Sequence, residues 1–195
     1  YAQEESYNRS ENIRWGIEKR MQNGTSLLYN RRCFGYRKNE NGTLEICPEE
    51  AEVVRLIFDF YLRGGSILSI IKELENRQIQ TPSGKKKWCT QTVVKILTNE
   101  KYIGNVLLKK TYTDGFPNRK RKNNRGEKDQ YLAEQLHPEI ISKEIFDAVQ
   151  IERQRRSNVV IDENGEKKRA GKRYCSKITP ETDIESFDSI LDYSS

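Results

Sequence analysis

The sequence predicts an α+β chain: a mostly helical domain with a helix-turn-helix-like pair, a short β-hairpin and a small antiparallel strand pair, preceded by an N-terminal helix. Three observations predict it. Apolar residues recur at helical spacing in several separate segments, an Asn-Gly dipeptide stands between two alternating runs, and the remaining sequence is punctuated by Gly and Pro. No internal repeat at solenoid periods competes with this order of elements.

The first helix is expected from about Glu4 to Asn23, with Gly24 as its stop and Ile13, Ile17 and Met21 forming one narrow stripe. Ser10 offers an alternative cap for a shorter helix. So thin a stripe buries too little to hold alone and is expected to dock on the body or on a partner helix. Phe34-Gly35-Tyr36-Arg37 and Leu44-Glu45-Ile46 then alternate around Asn39-Glu40-Asn41-Gly42, which predicts a hairpin.

Pro48-Glu49-Glu50 suits a helix start, because Pro fits the first turn and carboxylates favour the positive end of the helix dipole. Val53, Val54, Ile57, Phe58 and Tyr61 follow at core-facing spacing up to Gly64-Gly65. Ser66 caps the next helix, with Ile67, Ile70, Ile71 and Leu74 inside, ending near Asn76 or Arg77. A basic turn, Thr81-Pro82-Ser83-Gly84-Lys85-Lys86-Lys87, leads through Trp88 into a short helix from about Cys89 to Asn99 that buries Val93, Ile96 and Leu97.

Tyr102 to Leu108 reads as a strand, 112–130 as a mobile loop, and Tyr131-Leu132-Ala133-Glu134 as a return strand pairing with the earlier one. After His137-Pro138, Ser142 opens a last helix with Ile145, Phe146 and Val149 inside, to about Arg156. The expected organisation is 1–24 as the end of a linking helix, 25–157 as the folded domain, and 158–195 as linker and acidic tail without regular structure.

Composition narrows the function. Of 195 residues, 34% are apolar and 33% charged, and the mean hydropathy is -0.90. An average domain has roughly 25% charged residues. No apolar stretch approaches the roughly 18 residues of a membrane span, and the polar N-terminus lacks the apolar core of a signal peptide. The missing initiator Met suggests a fragment, and cytosolic thiols are the simplest reading of four scattered cysteines. With no Cys-x-x-Cys pair and a single histidine, no metal or other cofactor is expected. His137, next to Pro138, is more simply a packing or capping group than a general base, and Glu49, Glu50 and Glu52 are more simply dipole partners than an acid-base pair.

Charge is asymmetric. Residues 174–195 carry one lysine against five carboxylates, which leaves 34 basic against 24 acidic groups in residues 1–173. A basic body favours a polyanionic partner, since each cation that replaces a condensed counterion at a phosphate adds salt-dependent affinity. In the short helix after Trp88, burial of Val93, Ile96 and Leu97 leaves Gln91, Thr92 and Lys95 outward, with Thr90 at the start. These side chains suit base edges: Gln pairs with adenine, Lys donates to guanine, and Thr offers a hydroxyl and a methyl. Lys85, Lys86 and Lys87 are expected on phosphates. Arg119, Lys120, Arg121, Lys122 and Arg125 form a second basic grip for a backbone or a minor groove, although a solvated loop has the same composition. A protein-interaction module is the alternative from another class. RNA binding is disfavoured because no aromatic-rich strand pair is present for base stacking.

Phe34-Gly35-Tyr36, Gly42-Thr43-Leu44, Pro48-Glu49-Glu50-Ala51, Val54-Arg55-Leu56-Ile57-Phe58, Ile71-Lys72-Glu73-Leu74, Trp88, Val93-Val94-Lys95-Ile96-Leu97, Asn99-Glu100-Lys101-Tyr102-Ile103-Gly104 and His137-Pro138-Glu139-Ile140-Ile141-Ser142 together resemble the recombinase domain of large serine recombinases, which include phage integrases and conjugative-transposon recombinases. The resemblance spans about Asn30 to Arg156, and Ser10 to Ile17 is similar to the long helix leading out of that family's catalytic domain. It implies a double-stranded DNA partner, other recombinase subunits, a bacterial or phage-encoded cytoplasmic setting, and no membrane or small-molecule substrate. It also implies a nucleophilic serine in a preceding catalytic domain. No serine here matches that motif, so no catalytic residue is carried over and the chain is expected to bind DNA without cutting it. Two departures stand out. Cys175 stands alone where the family continues into a zinc ribbon, and Cys89 replaces the Ser that commonly caps the helix.

Overall fold

The computed structural model describes residues 2–113, 120–157, 159–161 and 167–169. They fall into two compact units, one within Tyr1–Ile46 and Glu100–Glu139, the other within Cys47–Asn99 and Ile140–Ser195. The architecture is α+β, with helices and two-stranded antiparallel sheets. Among the described residues no helix is long and apolar enough to cross a membrane.

The first unit opens with α1, Ala2–Gln22, which runs through Ser10 without a break. The Ser10 hydroxyl donates to the Ser6 carbonyl at 2.9 Å, so it bonds back along the helix instead of capping a new one. The helix ends in a Schellman motif. Gly24 adopts φ +72°, its N–H donates to Met21, and the Thr25 N–H donates to Arg20. The expected stripe docks only at this end. Met21 is buried in a cluster with Tyr29, Val106 and Leu108, and the Tyr29 hydroxyl donates to the Met21 carbonyl at 2.8 Å. Ile13 and Trp15 are 58% and 64% exposed, because one residue per turn gives the body nothing to grip further up the helix.

Strands β1, Tyr36–Lys38, and β2, Leu44–Ile46, pair in the register Tyr36 to Ile46. The turn is not a two-residue Asn-Gly turn. Asn39 exchanges backbone bonds with Thr43 and Gly42, and Gly42 takes φ +76°, the three-residue form in which the glycine supplies the left-handed position.

The expected strand from Tyr102 is shorter at its start. Glu100–Ile103 forms a 3₁₀ turn, Gly104 reverses the chain at φ +80°, and β3 covers only Val106–Leu108. A Cβ at Gly104 would lie 2.8 Å from the His137 carbonyl, so both the conformation and the space require glycine. Strand β3 pairs with the return strand, Tyr131–Ala133. Between them the expected mobile loop contains a further pair, β4, Thr111–Thr113, with β5, Arg121–Asn123, so the return strand is β6.

The 3₁₀ turn is stitched into the unit by polar groups. The buried Tyr36 hydroxyl lies within hydrogen-bond reach of the Lys101 and Pro138 carbonyls, at 3.1 and 2.9 Å. The His137 Nε2–H reaches the same Lys101 carbonyl at 2.7 Å, and its ring stands edge-on to Tyr36. The Lys101 ammonium donates to the Tyr29 and Arg31 carbonyls, and desolvation lowers its pKa. His137 is thus a packing group.

The second unit is the helical one. Helix α2, Pro48–Leu62, turns its Ala51, Val54, Ile57, Phe58 and Tyr61 face inward, and Gly64 at φ +91° closes it. Ser66 caps α3, Ile67–Asn76, by accepting from the Ser69 N–H at 3.1 Å. Helix α4 is Thr90–Leu97. Ser142 caps α5, Lys143–Arg155, by accepting from the Ile145 N–H. Phe58 and Phe146 join α2 to α5 with ring centroids 6.2 Å apart. Arg156 completes the corner after α2: its guanidinium stacks on Tyr61, donates to the Tyr61 and Gly65 carbonyls, and pairs with Glu152.

Beyond α5, β7, Val159–Ile161, pairs with β8, Lys167–Arg169, in a region where no regular structure was expected. The acidic tail, residues 174–195, lies outside the described residues.

Desolvation lowers the His137 pKa below its usual value, against the raising effect of its bond to Lys101. The fold therefore favours the neutral ring. Above the unfolded pKa of about 6.5 this group costs nothing, and as pH falls below that value the unfolded chain takes up the proton first and stability declines. His137→Gln keeps a donor for the Lys101 carbonyl but does not titrate. Its melting temperature is expected to fall less than that of the parent chain between about pH 7 and pH 5. An equal fall in both chains would contradict the assignment.

Candidate nucleic-acid interface

The site is built from the end of α3. Gln78 takes a left-handed φ of +55°, its N–H donates to Glu75, and the Ile79 N–H donates to Leu74, another Schellman ending that here uses a residue other than glycine. The turn aims the Ile79 carbonyl at Trp88, whose indole N–H donates to it at 2.8 Å. The Trp88 backbone N–H donates to the Glu75 carboxylate at 3.0 Å, and the ring is buried. One aromatic side chain thus fixes where the basic connection ends and α4 begins.

The connection itself is tied at its neck. Thr81, buried, exchanges a backbone bond with Lys85 at 2.9 Å and accepts the Lys85 N–H on its hydroxyl, also at 2.9 Å. The Gly84 N–H donates to the Thr81 carbonyl, with Gly84 at φ +75°, so Pro82-Ser83 form the tip. Lys85, Lys86 and Lys87 all emerge exposed immediately before Trp88. Among the described residues none of them forms an ion pair with a carboxylate.

Helix α4 has only eight residues, too few to persist on hydrogen bonding alone. Val93, Ile96 and Leu97 are almost fully buried, and at about 1.5 to 3 kcal/mol each their burial holds the helix in place. The outward face is consequently free of structural duty. Thr90, Gln91 and Lys95 are exposed there, while Thr92 is half-buried and its hydroxyl lies 3.0 Å from the Cys89 sulfur. The helix start has no hydrogen bond of the kind Ser66 and Ser142 provide. The Cys89 thiol is instead paired with the Thr92 hydroxyl, and this hydrogen bond lowers its pKa.

The sequence-predicted arm residues belong to the other unit. Lys120, Arg121, Lys122 and Arg125 are exposed, and Arg121 and Lys122 lie on β5 opposite Thr113 and Tyr112. The Arg121 guanidinium donates to the Thr111 hydroxyl at 3.0 Å. Arg119 lies outside the described residues. The structure therefore groups Lys85, Lys86 and Lys87 with Thr90, Gln91 and Lys95 on one stretch of the helical unit. It sets the arm on a strand pair of its own. Two residues that organise these surfaces were not singled out from sequence, Gln78, whose left-handed turn no composition signals, and Asn124; Trp88 was quoted for the family resemblance and as preceding the helix, but its bonds to Ile79 and Glu75 were not foreseen.

The helical unit thus presents a short, polar-faced helix next to a basic turn. The model of the Recombinase family matches residues 48–156, more than half of the chain, and the chain belongs to that family. A protein of Bacillus subtilis (strain 168) described as "Putative DNA recombinase" is 32% identical over 95 residues, 46% of this chain and 19% of that protein, so the chain spans about a fifth of its relative's length. Two solved structures are also similar. "Crystal Structure of a LSR-DNA Complex" has a chain 26% identical with a TM-score of 0.44, covering 66% of this chain and 34% of that one. "Sequence Requirements of the Listeria innocua prophage attP site" has one 27% identical with a TM-score of 0.43, covering 64% and 42%. The family assignment rests on the match over residues 48–156.

Two substitutions test the local construction. Trp88→Phe keeps the apolar ring but leaves the Ile79 carbonyl without its indole donor, and is expected to lower the unfolding free energy by about 1 to 2 kcal/mol in urea titrations. No loss would show that the bond contributes nothing. Cys89→Ser supplies a stronger acceptor at the start of α4 and is expected to raise stability by roughly 0.5 kcal/mol. An unchanged or lower melting temperature would count against it.

Proposed function

We propose that this chain binds duplex DNA, as the DNA-binding part of a site-specific serine recombinase, and that it reads attachment-site sequence through α4. The observation that carries the reading is the juxtaposition of three exposed lysines with a short helix whose outward side chains, Thr90, Gln91 and Lys95, are polar and not needed for its packing. The lysines meet phosphates and orient the helix, while Gln91 and Lys95 address base edges in the major groove. Thr92 is half-buried and contributes at the margin of that face. The arm, with Lys120, Arg121, Lys122 and Arg125, supplies a second contact with the backbone. Arg119 remains part of the same expectation from sequence.

The chain has no proposed catalytic residue, cofactor or metal. Recombination would depend on a nucleophilic serine elsewhere in the full protein and on other recombinase subunits. A second reading, a module for subunit assembly, draws on the exposed Ile13 and Trp15 of α1.

Fluorescence anisotropy with labelled duplexes separates the two readings. Each phosphate-bound lysine replaced by alanine is expected to flatten the slope of log affinity against log salt by about 0.9, equally on specific and random DNA. Gln91→Ala and Lys95→Ala should instead change the preference among sequences, by about 1 to 3 kcal/mol at the base concerned. Equal losses on all duplexes for all five variants would remove the base-reading role. Absence of salt-dependent binding, with association of the chain through α1, would favour the assembly module.

A further inference from the structure

Every residue from Lys120 to Gln130 is exposed except Asn124, which is 7% exposed. Its side-chain amide donates to the Lys109 carbonyl at 2.9 Å and to the Lys128 carbonyl at 2.7 Å. Its Oδ1 accepts the Gly126 and Lys128 N–H groups, both at 3.1 Å. Its own backbone N–H donates to Lys110, and its carbonyl accepts the Gln130 amide. Both functional atoms of one asparagine are therefore used twice. A solvated loop has no need of such a network, and a fully satisfied buried network makes a segment rigid.

The network sits where the β4–β5 ribbon leaves the body. Lys109, between β3 and β4, takes a left-handed φ of +57°, a conformation unfavourable for a side-chain-bearing residue. The Asn124 amide holds the carbonyl of that residue, and the Lys109 ammonium reaches Glu18 of α1 and lies over the Tyr131 ring. The corner that sets the direction of the ribbon is thus fixed from the ribbon side by Asn124 and from the body side by Glu18 and Tyr131. Among the described residues the strands of the ribbon bury no side chain: those of β4 are half-buried or exposed, and those of β5, Arg121 and Lys122 included, are exposed.

We propose that Asn124 is a positioning residue that holds the β4–β5 ribbon as a preformed basic finger, so that Arg121 and Lys122 meet the sugar-phosphate backbone of duplex DNA without first being ordered. The inference rests on the DNA-binding reading above and adds to it a residue that touches no DNA. Preorganisation raises affinity by removing the cost of immobilising side chains on binding, which is about 0.5 to 1.5 kcal/mol for each. With two cations held, loss of the network is expected to weaken binding about fivefold or more.

A double-mutant cycle on the full chain tests it, using a mixed-sequence duplex of about 30 base pairs at about 50 and 200 mM salt. Arg121→Ala with Lys122→Ala should flatten the salt slope by about 1.8. Asn124→Ala should weaken binding in the parent chain but cost nothing further in the chain that already lacks both cations. Asn124→Ser, which retains a short acceptor for the Gly126 and Lys128 N–H groups, should lose less and keeps the test open should the alanine variant fold poorly. An Asn124 loss of equal size with and without the two cations would show a general effect on folding and overturn the proposal, as would an unchanged affinity. Lys85→Ala with Lys86→Ala runs in parallel. If that pair weakens binding while the arm variants do not, the finger falls and the α4 reading stands. If that pair binds as the parent does, the lysine turn is not a contact, and if the parent chain itself shows no salt-dependent binding, the DNA-binding reading fails together with the finger.

Discussion

The hydrogen bond from the Trp88 indole to the Ile79 carbonyl is the contact on which the proposed interface depends. A chain segment with three consecutive lysines repels itself and gains nothing by collapsing onto a core, so its position must be imposed at its ends. At one end Thr81 closes a small loop on Lys85. At the other, Trp88 is buried and bound to both Ile79 and Glu75. Because Ile79 lies just past the left-handed turn at Gln78, the geometry of the end of α3 passes through Trp88 to the start of α4. Among the described residues no carboxylate pairs with the lysines held beside the helix start, which leaves their charge available to a polyanion.

The two units are stabilised by different means. Among the described residues of the helical unit, α2 to α5 bury apolar faces, and Arg156 is paired with Glu152 and with the Tyr61 and Gly65 carbonyls. In the other unit, the apolar cluster around Met21, Tyr29, Val106 and Leu108 is small, and much of the definition comes from polar groups satisfying backbone: Lys101 on Tyr29 and Arg31, Tyr36 and His137 on Lys101, Asn124 on Lys109 and Lys128. Such networks specify one arrangement because any partial version leaves a desolvated group unpaired.

The helices were legible because their apolar periodicity is a direct consequence of packing. Val93, Ile96 and Leu97 fix the inward face of α4, and the outward residues follow by geometry. Ser66 and Ser142 mark helix starts for an equally local reason. What was not legible depends on contacts distant in sequence or on backbone conformations that composition does not encode. Residues 120–130 look like part of a solvated loop because their order comes from one asparagine bonded to groups as far away as Lys109. Tyr102 looks like part of a strand because aromatic residues favour strands, yet the close approach of Gly104 to His137 puts it in a 3₁₀ turn. The α1 stripe was visible, but periodicity does not say how far up a helix its support extends. The candidate residues on α4 and the lysine turn could be named from sequence, whereas the roles of Trp88 and Asn124 required coordinates.

The most direct test of the central claim is a titration of the isotope-labelled chain with duplex DNA, followed by backbone amide chemical shifts. The account predicts that the largest changes fall on Lys85 to Lys87 and on Thr90 to Lys95, with a second group on Arg121 and Lys122. Changes confined to α1 or to the β1–β2 hairpin, with the amides of α4 unmoved at saturating DNA, would contradict it.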